Sequence, residues 1–86
     1  MSLMDMISNA SSISVGELHA RSSGDADATA EALASLHRTG SIRFSGEPNN
    51  PFSLQKGNIA GQIKAVIENE STANRVFISP TATGLR

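Results

Sequence analysis

The side chains that could do chemistry are few: two histidines, His19 and His37, and a run of carboxylates at Asp25, Asp27 and Glu31. A zinc site needs three or four ligands drawn from imidazole, thiolate and carboxylate. The histidines fall on separate predicted helices, and neither has a further ligand at metal spacing, so both read as ordinary surface or boundary residues. A general acid–base pair needs an enclosed pocket that drives two pKa values apart. Acids at the start of a helix are explained by capping and by the positive end of the helix dipole. The serines form no G-x-S-x-G elbow. Gly57-Asn58-Ile59-Ala60-Gly61 lacks the Lys-Ser/Thr ending of a phosphate loop, and reads as the opening of a closely packed helix. The expectation is a non-enzymatic chain with no catalytic, cofactor or metal site.

The elements that would position these residues follow from spacing. Leu3, Met4, Met6 and Ile7 form one face of a short helix, and Ser8 to Ser12 a connector. Ser14 caps a helix over Val15–Arg21, with Glu17 three residues on as the partner of a capping box. Ser22, Ser23 and Gly24 break it. Asp25 or Asp27 caps a longer helix through Arg38, with Ala28, Thr29, Ala32, Leu33 and Leu36 as its apolar stripe. His37 and Arg38 suit the helix C-terminus, and Gly40 suits the position just beyond it. Ser41–Ser45 alternates, with Ile42 and Phe44 facing one side, as in a half-buried strand. Gly46 to Pro51 is dense in turn formers, with Asn49-Asn50 at the tip. Pro51-Phe52-Ser53-Leu54 is expected to return as the second strand of a hairpin. Ile59, Ile63, Val66 and Ile67 predict a helix over roughly residues 58–69. Val76-Phe77-Ile78 predicts a short strand with an edge open to a partner, and residues 81–86 a mobile tail.

Ile13-Ser14, Glu17-Leu18, Ser22-Ser23-Gly24, Ala32-Leu33, Leu36, Gly40 and Ile42 follow one another in a known order. Over residues 12–54 the chain resembles the winged helix-turn-helix domains of bacterial regulators. The resemblance implies an α+β domain: a helix-turn-helix followed by a β-hairpin wing, here with an added C-terminal helix and short strand. It also implies DNA binding through the helix 25–38, whose N-terminal part would face the bases. The residues expected to be exposed there are Asp25, Ala26, Asp27, Ala30, Glu31 and Ala34. They include no Arg, Lys, Asn or Gln for base reading, and phosphates repel the carboxylates.

Composition bounds the rest. Eighty-six residues make a single small domain with a modest core. Three Phe with no Trp or Tyr leave the packing to aliphatic side chains. A net charge of −1 and a pI near 6.0 do not suit an electrostatic nucleic-acid binder. The nucleic-acid contacts a fold could still gather are Arg21, Arg38 and Arg43. With no Cys, disulfides and thiolate metal sites are excluded. No apolar run reaches the length of a membrane span, and no secretory signal opens the chain, so a cytoplasmic location is expected. The leading function is a protein-binding module in a regulatory setting, and the alternative a small DNA-binding transcription regulator. A partner would be another protein or a second copy of this chain, with Ile59, Ile63, Val66 and Ile67 as the candidate contact face. The leading use of that face is the domain's own core, since a chain this small needs all its large aliphatic side chains.

Overall fold

A computed structural model describes residues 3–22 and 24–81. It is an α+β domain in which helices cover one face of a three-stranded antiparallel sheet. In chain order the elements are α1 (Leu3–Ala10), β1 (Ile13–Ser14), α2 (Val15–Arg21), α3 (Ala26–Arg38), β2 (Ile42–Gly46), α4 (Ile59–Glu68), α5 (Glu70–Ala73) and β3 (Val76–Pro80). The strand order is β1-β3-β2, so the last strand lies in the middle.

Helix starts are set by side chains that accept the first unpaired N–H groups. Ser14 accepts from the Glu17 amide at 3.1 Å, Asp25 from Ala28 at 2.7 Å, Asn58 from Gly61 at 2.9 Å and Asn69 from Thr72 at 3.2 Å. Asn69 is extended; it ends α4 and caps α5. The reciprocal half of the expected capping box is not used, because the Glu17 carboxylate pairs with Arg21. The end of α3 is a Schellman turn: Ser41 N–H donates to Leu36 C=O and Gly40 N–H to His37 C=O. Gly40 takes a φ of +77° there, a conformation that suits a residue without Cβ.

The register explains which strand residues are buried. Ile78 lies between Ile13 and Phe44, and Val76 beside Gly46. These residues face the helices, and Phe77, between Ser14 and Ser45, faces away. Ile7, Val15, Leu18, Leu33, Ile63 and Ile78 are the largest fully buried side chains. Leu36 packs on the same core from its edge.

Several expectations are corrected. The hairpin does not form: Pro51–Leu54 carries no regular secondary structure and is unpaired, and the partner of β2 is β3, beyond α4 and α5. Pro51 cannot donate to a ladder, and the tight turn Glu47–Asn50, closed by Asn50 N–H to Glu47 C=O, leads the chain away. Val76–Ile78 is therefore not an open edge, since β3 is paired on both sides. Thr81 is not part of a loose tail: its N–H donates to Ser41 C=O and its hydroxyl to Gly40 C=O. Ser23, expected in the α2–α3 break, and residues 82–86 of the tail lie outside the described residues.

Leu33→Ala should cost about 2–5 kcal/mol, the usual range for emptying a buried leucine site. Urea unfolding of both proteins measures it; a loss under about 0.5 kcal/mol would place Leu33 outside the core.

Candidate functional site

In a winged helix-turn-helix, DNA would meet the outer face of α3. Its principal packing partner is α4. Ala30 is 1% exposed and Ala34 0%, which corrects their expected exposure. Asp27, Ala30, Glu31 and Ala34 share one helical stripe by their spacing. At its start Asp27 Oδ1 pairs with Lys64 Nζ of α4 at 2.9 Å. Asp27, Ala30 and Glu31 line one shallow recess with Asn58, Ala60, Gly61 and Lys64. Small residues on both sides let the two backbones approach. Gly61 is needed for a second reason: a Cβ there would stand 2.6 Å from the capping Asn58 side chain. The expected α3 stripe is thus incomplete. Thr29 and Leu33 are buried as predicted, but Ala28 is exposed, and Ala30 and Ala34 join the buried set.

The second face of α4 faces the core. Ile63 is 1% exposed and Val66 7%; Ile59 and Ile67 are half-buried against the same cluster. The candidate partner face formed by these four residues is therefore largely occupied by the domain itself. A modest core needs all its large aliphatic side chains.

Arg21, Arg38 and Arg43 are exposed but mark different parts of the molecule. Arg21 ends α2 and pairs with Glu17. The next residue, Ser22, touches Thr29 near the start of α3. Arg38 ends α3, more than two turns further along, about 13 Å by helical rise. Arg43 is paired in register with Ser79 on the outward face of the sheet.

His19 and His37 have separate settings. His19 Nδ1 lies 3.1 Å from Thr29 Oγ1, and Ser22 Oγ lies 3.3 Å from the same atom. Ser22 Oγ also donates to the His19 carbonyl at 3.1 Å. Thr29, at 2% exposure the buried polar residue of the core, thereby ties the end of α2 to α3, and its hydroxyl is shared between two side chains. That is a structural knot, since a buried hydroxyl without partners is costly. His37 packs edge-on against Phe44, with ring centroids 5.7 Å apart. Its Nδ1 is buried and has no hydrogen-bond partner among the described residues.

Two open clefts flank α2. One, of about 590 Å³, runs between α2 and the α4–α5 junction and is bordered by Glu17, His19, Glu68 and Glu70. At its floor α2 and α5 nearly touch: a Cβ on Gly16 would come within 2.7 Å of Asn74 Oδ1. The other, of about 440 Å³, lies between Leu3 and Met6 of α1 and the α2–α3 connection. Among the described residues no group of three or more His, Asp or Glu side chains is placed to hold a metal ion. Nor is any described helix long and apolar enough to cross a membrane.

A last polar feature was not foreseen from sequence. The Gln62 carboxamide of α4 accepts from Gln55 N–H at 2.7 Å and donates to Gln55 C=O at 2.9 Å. It fastens the segment before α4 to the body of the domain. Two glutamines seven apart, across Gly57, were the available signal.

Comparison of the chain with family models, with curated proteins and with solved structures gives no match.

The Asp27 carboxylate, by hydrogen bond and by charge, holds the Lys64 pKa above its ordinary value of 10.5. A raised folded-state pKa stabilises below the unfolded value and loses that effect as pH rises through the folded value. The stability difference between wild type and Lys64→Gln, followed by urea midpoints, should be level from about pH 6 to 9 and shrink above the lysine range. A difference unchanged at about pH 11.5 would contradict the pairing.

Proposed function

We propose that this chain is a non-catalytic protein-binding module on a winged-helix scaffold, serving a regulatory role. The strand order β1-β3-β2, with a helix pair between β1 and β2, supports that scaffold. In this reading α4 and α5 are an insertion within the wing. The observation that carries the functional reading is the cover over α3. A recognition helix must offer its outer face to the major groove. Here that face bears Asp27 and Glu31, and α4 lies along it with Ala30 and Ala34 beneath.

The competing reading, a transcription regulator using α3, rests on the scaffold alone, and a scaffold does not settle function. Of the three arginines, Arg21 is already paired with Glu17, and Arg43 stands beside Ser79 on the outward sheet face. A protein partner needs no cationic face. It can use the outward sheet face around Phe77 or the apolar edges near Phe52 and Leu54.

The test pairs two measurements. Duplex DNA at low salt should not be retained, and a photoreactive residue in place of Ser45 should give cellular adducts that protease removes and nuclease does not. Retention that falls with salt at a slope of about −0.9 per phosphate contacted, or nuclease-sensitive adducts, would overturn the reading in favour of DNA.

A further inference from the structure

Residues 51–55 cross the surface without regular secondary structure and do not join the sheet, and Lys56 bends the chain toward α4. Phe52 and Leu54 are half-buried against the core, while Ser53 and Gln55 are exposed. That alternation is the pattern of a strand with one face on an apolar floor. Phe44 of β2 forms part of the floor, meeting the Phe52 ring edge-on at 6.3 Å. On the other side stands Gln62 of α4, whose carboxamide binds both the N–H and the C=O of residue 55. Among the described residues no backbone–backbone hydrogen bond ties residues 51–57 to the rest of the domain.

Gln62 thus does for one residue what a neighbouring strand would do. It reads main chain, so the identity of the side chain at that point is immaterial. The apolar floor, by contrast, selects two side chains two residues apart. A main-chain clamp combined with alternate apolar contacts is the chemistry of extended-peptide recognition.

We propose that residues 51–56 are the resident occupant of a peptide groove, and that a protein partner binds by replacing them with an extended stretch of its own. The partner stretch carries two apolar side chains separated by one residue, as Phe52 and Leu54 are. This inference rests on the protein-binding reading above and gives that reading its ligand class. Among the described residues the exchange breaks no ladder of backbone bonds. The occupant is tethered at both ends and so has a high local concentration. The wild-type groove is therefore largely closed to a free peptide, and a natural partner must add contacts outside it.

The test uses the full chain carrying Phe52→Ser and Leu54→Ser, which leaves Phe44 and Gln62 in place. The probe is a labelled peptide, Asn-Pro-Phe-Ser-Leu-Gln-Lys, matching residues 50–56. It should bind the double variant about tenfold or more tighter than it binds wild type. Adding Gln62→Ala should weaken that binding about threefold or more, and a peptide with both apolar residues replaced by Ser should not bind. A double variant with a cooperative thermal transition that ignores the peptide overturns the proposal. Should the double variant not fold, Gln62→Ala alone decides: the Gln55 amide should exchange hydrogen about tenfold faster while Ile78 does not change. An unchanged Gln55 rate overturns the proposal. Failure here alongside protein adducts at Ser45 removes the groove and leaves the module, whereas nuclease-sensitive adducts remove the module whatever the peptide does.

Discussion

The close approach of α4 to α3 is the constraint from which the rest of the structure follows. Ala30 and Ala34 on one helix, and Ala60 and Gly61 on the other, leave room for the two backbones to lie together. With α4 in that position, Ile63 and Val66 reach the core that Leu18, Leu33 and Ile78 share. Each such side chain contributes about 1.5–3 kcal/mol by leaving water. The route of the chain is then determined. It must leave β2, run back along residues 47–58 to the start of α4, and return through α5 to place β3 between β1 and β2. The Asp27–Lys64 pair at the rim is exposed and adds orientation more than stability.

The polar side chains serve the same end. Ser14, Asp25, Asn58 and Asn69 each start a helix, and the Schellman turn at Gly40 directs the chain into β2. Thr29 joins His19 and Ser22 where α2 meets α3. Of the three acids there, Asp25 caps α3 and Asp27 forms an ion pair, while Glu31 is exposed on the same stripe. Three of the groups that suggested chemistry in the sequence have structural partners: Asp25 the Ala28 amide, Asp27 the Lys64 ammonium and His19 the Thr29 hydroxyl.

Features governed by neighbours in the chain were legible in the sequence. The helix Val15–Arg21, the caps at Ser14 and Asp25, the stop at Gly40 and the alternation through Ile42 and Phe44 all rest on local rules. The helix beginning after Asn58 follows from aliphatic spacing. What escaped depends on contacts distant in sequence. Alanine is small and weakly apolar, so nothing at Ala30 or Ala34 signals burial beneath a helix thirty residues on. The two residues of β1 and the four of α5 are too short to carry a period. Val76–Ile78 reads as a strand, but its central place needs both partners. Pro51–Leu54 has strand alternation, yet the bonds that would make it a strand come from a side chain, Gln62.

The most direct measurement of the α3–α4 contact is the stability of Ala34→Leu. Position 34 is fully buried, and added methyl groups have nowhere to go unless the helices separate. Urea unfolding should show a loss of about 1–3 kcal/mol, the usual cost of overpacking. Unchanged or increased stability would mean that the face of α3 is open and that α4 does not cover it.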